Sequence, residues 1–306
     1  MTPAVAARGL FRSILCPVDF SGHSRAALQH AAAVAARSGG QLTALFVSDP
    51  LLVAAAAAAA YNRTALEQTS EAELRAFVKR AIGSSSKAVR VVCSVVQGDA
   101  PEEIGKAVKR LSADLVVIGT QGLSGASKWF FGSTTERVLR RTTAPVLTVP
   151  PVTTHRRVPA SWPGKRVLAA VDLGPHTAAD ARAAAHVAQW ARAELVLVHI
   201  VRPTQAPRWL STRLQAHERE RLQAARTRLE RLARDLELDR PASCQVLIGE
   251  PADQIPALST GPGTGLVVVT LRGTGGLFGA PQGSTTYRVL GTASVPVLAL
   301  PANWKP

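Results

Sequence analysis

Two stretches of this chain begin alike. Ser13–Asp19 reads SILCPVD and Arg166–Asp172 reads RVLAAVD, 153 residues later. From Cys93 onward the spacing settles at 151: Cys93 matches Cys244, Gly98 matches Gly249, and Gly132-Ser133-Thr134-Thr135 matches Gly283-Ser284-Thr285-Thr286. Arg137-Val138-Leu139 and Pro145-Val146-Leu147 recur as Arg288-Val289-Leu290 and Pro296-Val297-Leu298. A register held this long marks a duplicated unit. A chain of 306 residues accommodates two such units, each able to bury its own core. The expected division is residues 1–152, a Pro-rich linker over 153–164, and residues 165–306.

Within each copy, short apolar runs alternate with helical patterns. In the first copy the expected strands are Ser13–Asp19, Gln41–Val47, Ala88–Gln97, Leu115–Ile118 and Val146–Val149. Helices are expected over Ser24–Gly39, through Leu66, Leu74 and Val78, over Glu102–Leu111, and from Glu136. Ser24 is a candidate N-cap, and Pro101 suits a first turn. Such alternation predicts a parallel α/β sheet with helices on both faces.

The fourth strand runs into Gly119–Thr135, GTQGLSGASKWFFGSTT, and then into a helix. A glycine-rich connection from a strand's carboxyl end to a helix's amino end is where open α/β sheets bind ligands. The free N–H groups and dipole of the helix start favour an anion such as phosphate. Ser133 and Glu136 also fit a capping box. The loop is neither a Walker A sequence nor a G-x-G-x-x-G fingerprint.

Charge excludes less than it suggests. The net charge is +15, with +7 on residues 1–155 and +8 on the rest. The charge is spread rather than gathered in a tail, and the dense segment Arg208–Arg240 interleaves Glu218, Glu220, Glu230, Asp235 and Glu237. That pattern is a solvated, ion-paired helix face, and no specific nucleic-acid partner is expected. Cys16, Cys93 and Cys244 lie in strand-like runs and read as free thiols of a reducing compartment. The seven histidines lack zinc-like spacing, so no metal site is expected. With no long apolar run, no membrane association and a cytoplasmic location are expected.

Gly119-x2-Gly122-x9-Gly132-Ser133, with Pro17-Val18-Asp19 closing the first strand, resembles the nucleotide-binding signature of the universal stress protein family. The resemblance covers nearly the whole chain as a tandem member. It implies two doubly wound five-stranded parallel sheets of order 3-2-1-4-5, an adenine-nucleotide alpha hydrolase-like fold. It also implies ATP as ligand, held at the carboxyl ends of strands one and four. Pro17, Val18 and Asp19 then face adenine and ribose, Val47 faces adenine, and Gly119, Gly122, Gly132, Ser133 and Thr134 hold the phosphates, with Lys128 near them. In the second copy Asp172, Ile200, Gly273, Gly283, Ser284 and Thr285 match. Thr270 stands where the first glycine would be, Pro281 stiffens the loop, and Arg272 is placed to pair with phosphate. If Thr270 occupies a glycine-only conformation, strain weakens the second site. Magnesium alongside the phosphates suits the chemistry, since hard cations bridge them.

The resemblance implies a regulatory role in stress response through nucleotide-dependent conformation or partner binding. It also implies pairing through the last strands, as a homo-oligomer or as a domain pair within the chain. Two other classes remain open: a slow ATPase or phosphotransferase, and a dimerisation adaptor that binds no nucleotide. The phosphate cradle lacks a clear in-line base, arginine finger or Walker B acid, which favours binding over turnover. As ordinary alternatives, Asp19 serves as a turn residue, Val47 as core and Lys128 as a surface charge.

Overall fold

The computed structural model describes residues 9–58, 63–83, 89–120, 132–151, 158, 162–204, 211–271, 285–302 and 304–305. They divide into two compact units, one ending at Trp162 and the other beginning at Pro163.

The first unit runs β1 (Ser13–Val18), α1 (Gly22–Ser38), β2 (Gln41–Ser48), α2 (Pro50–Ala58), α3 (Arg63–Ile82), β3 (Arg90–Gln97), α4 (Ala100–Arg110), β4 (Leu115–Gly119), α5 (Ser133–Arg141) and β5 (Val146–Val149). The strands are parallel in the order β3-β2-β1-β4-β5. All five residues of β4 and all four of β5 are buried. Continuous apolar runs such as Leu115–Ile118 are what a parallel strand covered on both faces requires. β3, at the edge of the order, has only exposed and half-buried residues.

The second unit repeats this: β6 (Arg166–Ala170), α6 (Thr177–Ala191), β7 (Glu194–Val201), α7 (Ser211–Arg234), β8 (Ser243–Ile248), α8 (Pro251–Ser259), β9 (Thr264–Leu271), α9 (Thr285–Thr292) and β10 (Val297–Pro301). Its order is β10-β9-β6-β7-β8, the same relative arrangement. The expected fold and strand order are therefore present in both copies. Since β1 (or β6) is the strand from which the chain winds outward in both directions, its carboxyl end is the topological switch point of each sheet.

Local chemistry sets the element ends. The N-cap of α1 is Ser21, whose hydroxyl accepts the Ser24 N–H at 3.1 Å, rather than Ser24 itself. Ser24 lies in the first turn and returns its hydroxyl to the Ser21 carbonyl at 3.1 Å. Helix α1 ends at Gly39, with φ 61°, and α6 ends at Arg192, with φ 54°, again 153 residues apart. Helix α4 carries Glu102 and Glu103 in its first turn and Lys109 and Arg110 in its last, both favourable to its dipole. At the opposite end of the sheet, Asp114 accepts the N–H groups of Arg12 and Ser13 at 2.6 and 3.0 Å, fixing the start of β1 beside β4.

The core of the first unit centres on Ile14, Leu15, Leu28, Leu42, Leu45, Leu115, Leu139 and Leu147, all essentially inaccessible. Each such side chain contributes about 2 kcal/mol by its removal from water. His30 of α1 is also buried. Its Nδ1–H donates to Ala26 O at 2.8 Å, and its ring meets Trp162 edge-on at 5.2 Å. Arg37 donates to the Trp162 carbonyl at 3.3 Å. Burial holds the His30 pKa down, at about 4. Cys16 is buried and Cys93 and Cys244 are half-buried; all are free thiols, with burial pushing each pKa up.

Candidate functional site

The sequence reading points to the carboxyl ends of β1 and β4, and these strands are neighbours in the sheet. Pro17 and Val18 close β1, and Asp19 is the first residue beyond it. Asp19 Oδ1 accepts the Ser21 N–H at 3.0 Å, shaping the turn that launches α1. Between them Phe20 takes φ 62°, rare for a bulky residue. The second unit builds the same turn: Asp172 Oδ1 accepts the Gly174 N–H at 2.8 Å and the Thr177 hydroxyl at 3.1 Å, and Leu173 has φ 55°. The ordinary turn role considered for Asp19 is thus real in both units.

Gly119 ends β4, and its backbone is extended rather than left-handed. Its requirement is space. A Cβ there would come within 3.1 Å of His23 Cβ and 3.2 Å of the His23 carbonyl group. Thr270 likewise has no positive φ and lies within β9, paired with Leu300. The expected glycine-only strain at Thr270 is therefore absent. The counterpart of His23 is His176, which precedes α6 as its N-cap, so the helical residue that crowds Gly119 has no helical equivalent in the second unit.

The loop is closed at its base by the Gly132 N–H donating to Thr120 O at 3.1 Å, and Thr120 N–H donates to Val149 O at 3.1 Å. Gly132 thereby becomes the N-cap of α5, and Ser133 is the first helical residue. The expected capping box does not form with Ser133 as its cap: the N-cap is Gly132, which has no side chain to cap with, and Glu136 pairs with Arg140 at 3.0 Å. Thr135 instead sends its hydroxyl back to Gly119 O at 2.9 Å, tying α5 to the strand end. The first bond of the helix runs from Glu136 N–H to Gly132 O, so the N–H groups of Ser133, Thr134 and Thr135 have no acceptor within the helix. Ser133 is exposed and Thr134 half-exposed. Gly122, Lys128, Arg272, Gly273, Pro281, Gly283 and Ser284 lie outside the described residues.

His23 was not singled out from the sequence. Its Nδ1 is buried and has no hydrogen-bond partner. A buried polar atom left so is costly and concentrates at functional places. Val47 is half-buried near the end of β2, beside Val96, and Ile200 is buried near the end of β7.

The rims of the two crevices differ. In the first unit Phe20 packs on Phe46 of β2 at 4.7 Å between centroids and edge-on to Phe77 of α3 at 5.4 Å. Phe20 and Phe46 correspond to Leu173 and His199 at the 153 offset. The buried pairs Leu74/Ala225, Val78/Leu229 and Ile82/Ala233 fix an offset of 151 for α3 and α7, which sets Arg228 against Phe77. Arg228 donates to Leu173 O at 2.8 Å, and His199 Nδ1–H donates to Val171 O at 2.9 Å. Beyond β2 stands Asp49, which accepts the Leu51 N–H of α2 at 2.8 Å. Its counterpart beyond β7 is Arg202, which donates to Thr285 Oγ1 at 3.1 Å and lies 3.6 Å from Glu250. These rim residues come from distant segments, and only the repeat, aligned position by position, could have flagged the exchanges.

A family profile described as the universal stress protein family matches residues 10–150 and again 164–301. The chain belongs to the universal stress protein family. A universal stress protein of Methanocaldococcus jannaschii is 28% identical over 140 residues, covering 46% of this chain and 82% of the relative. Among solved structures, a universal stress protein from Archaeoglobus fulgidus superposes with a TM-score of 0.63 at 19% identity, covering 95% of this chain and 98% of its own. A putative universal stress protein from Pseudomonas aeruginosa gives 0.60 at 22% identity, covering 96% and 95%. These two likenesses span both units and establish the tandem fold of this universal stress protein. Among the described residues, no helix is long and apolar enough to cross a membrane, and no cluster of His, Cys, Asp or Glu is arranged to hold a metal ion.

Proposed function

We propose that the first unit binds ATP at the carboxyl ends of β1 and β4, and that occupancy changes the protein's shape or its partners in a stress response. The observation that carries this reading is that Asp19 at the end of β1, His23 with its buried, unpartnered Nδ1 against Gly119 at the end of β4, and the first turn of α5, tied to Gly119 through Thr135, stand together at neighbouring strand ends. These groups suit a nucleotide. Asp19 uses Oδ1 for the turn, and the carboxylate's other oxygen would serve a sugar hydroxyl or an adenine amine. The N–H groups of Ser133 and Thr134 would meet phosphate, and Gly119 keeps the strand end narrow beside them. ATP brings a triphosphate whose charge a cation such as magnesium would share; the chain's part is to position it. Pro17, Val18 and Val47 complete the adenine side of this reading. Asp172, Ile200 and Thr285 stand at the matching positions in the second unit. Cytoplasmic location and assembly through the final strands β5 and β10 belong to the same proposal.

The test is calorimetry with ATP and magnesium on the full chain and two variants. Asp19→Asn keeps an oxygen for the Ser21 N–H but loses the carboxylate, and should weaken the tight binding event about tenfold, which is about 1.4 kcal/mol. Asp172→Asn should leave that event in place. Absence of any ATP binding by the parent, or equal loss in the two variants, would sink the reading.

A further inference from the structure

The second unit's crevice is rimmed by different chemistry, and its rim is where arginines gather. Arg202 leaves the end of β7 and reaches Thr285, the first residue of α9. Helix α9 follows β9, and β6 lies between β7 and β9 in the sheet, so the guanidinium reaches across the switch point. Arg228 reaches the β6–α6 turn at Leu173, and Arg221 reaches Thr204 just past β7, at 2.9 Å. Arg288 of α9 is held by Asp253 at 2.6 Å. The acidic groups on this rim are Glu250 beside Arg202, Glu218 accepting the Thr204 N–H, and Asp172, whose Oδ1 is engaged in the turn. At the corresponding places the first unit has Asp49 for Arg202, Ser70 for Arg221 and Phe77 for Arg228. At these three positions the exchange raises the charge by four, reduced to three because Arg25, which lies 6.0 Å from the Phe77 ring, becomes Ala178; Phe20 and Phe77 give way to Leu173 and Arg228, and the Phe46 ring to the smaller, polar imidazole of His199.

Arginine forks match phosphate oxygens in pairs, whereas a purine ring gains most from aromatic and apolar surface. We propose that the second crevice is a site for a base-free polyphosphate, a linear di- or triphosphate, with Arg202 as its principal contact. It rests on the nucleotide reading of the first unit only in taking the strand ends as the binding end. In the ligand-free chain Arg202 is held over the crevice by Thr285 and Glu250, and the anion takes Glu250's place on the guanidinium. The two units of one chain then sort ligands: a nucleoside triphosphate by its base in the first, a phosphate chain by its charge in the second.

The experiment is calorimetry of the full chain with tripolyphosphate, ATP and both in sequence, on the parent and on Arg202→Asp, which installs the residue found at Asp49. Arg202 is 61% exposed, so the variant should keep the parent's thermal midpoint. The expected results are a tripolyphosphate event in the parent that steepens at low salt and weakens tenfold or more in Arg202→Asp. ATP should still bind protein saturated with tripolyphosphate. The proposal is overturned if tripolyphosphate does not bind the parent, if Arg202→Asp leaves the affinity unchanged, or if that variant binds more tightly. The last result would mean that the guanidinium blocks the crevice. Full competition between the two ligands also overturns it. If the parent binds no ATP while tripolyphosphate binding depends on Arg202, the nucleotide reading of the first unit fails and the present one stands.

Discussion

The two units share strand order, a strand-end aspartate, a positive-φ residue after it and helix ends in register, yet they differ in what surrounds those features. The first packs Phe20, Phe46 and Phe77 beside its crevice; the second has Leu173, His199 and Arg228 there. The first brings a helical His23 against Gly119, whereas the second begins its helix after His176 and carries Thr270. The first buries His30 where the second has Ala183. Backbone hydrogen bonding and apolar periodicity suffice to repeat the scaffold. The rim is free to diverge, because its residues rest on the scaffold without determining it.

The largest expected difference between the units is in acid sensitivity. His30 is held neutral by burial, with a pKa of about 4 against 6.5 for the free group. The unfolded chain therefore binds the extra proton first. The stabilisation is full above about pH 6.5 and is lost as pH falls toward 4. Between pH 7.5 and 5 this amounts to about 2 kcal/mol. Chemical denaturation at the two pH values should show this loss in the parent and much less of it in His30→Met. An unchanged slope in the variant would place the acid-sensitive group elsewhere.

Next comes the strand-end residue. Gly119→Val must displace the His23 backbone and should cost about 2 kcal/mol, as overpacking does. Thr270→Val, isosteric and in an ordinary strand conformation, should cost under about 1 kcal/mol. Equal melting shifts for the two variants would remove the distinction drawn between these positions.

The smallest effect concerns the ion pairs across the helices. Arg137 grips Asp99 through two bonds of 3.0 Å, whereas Arg288 holds Asp253 through one of 2.6 Å. All four side chains are substantially exposed, so truncation of either arginine to Ala should cost about 0.5 kcal/mol, with solvent screening most of the attraction. The bidentate pair should be the costlier to lose. A double-mutant cycle on each pair measures this, and a larger coupling for Arg288–Asp253 would reverse the order.

Much of this molecule could be read in advance, for a physical reason. A parallel strand buried on both faces must be continuously apolar, and a helix across its face must repeat near 3.6, so Leu115–Ile118 and α1 announce themselves. The helix starts were harder. Ser133 looked like a cap because residue type favours it, but the Gly132–Thr120 bond that closes the loop shifts the cap one residue earlier. Ser21 displaced Ser24 in the same way, because the Asp19 turn sets where α1 can begin. Gly119 was marked for holding phosphate, and the neighbour that leaves no room for a side chain there, His23, is 96 residues away in sequence and carries no motif. The aromatic trio and the arginine rim are assemblies of the same kind: the repeat could flag the exchanged positions, but which residues meet is visible only once the chain is folded.

The strand-end aspartates carry a consequence for how duplicated proteins advertise themselves. Asp19 and Asp172 each hold a turn together with Oδ1, whatever a ligand does with the rest of the carboxylate. A residue with two employments can lose one and still be indispensable. In a chain that has doubled, the Val-Asp signpost therefore outlasts the traffic it once directed: it reports the shape of the road in both copies, while the neighbours that have changed — a ring to a guanidinium, an acid to a base — report where each road now leads.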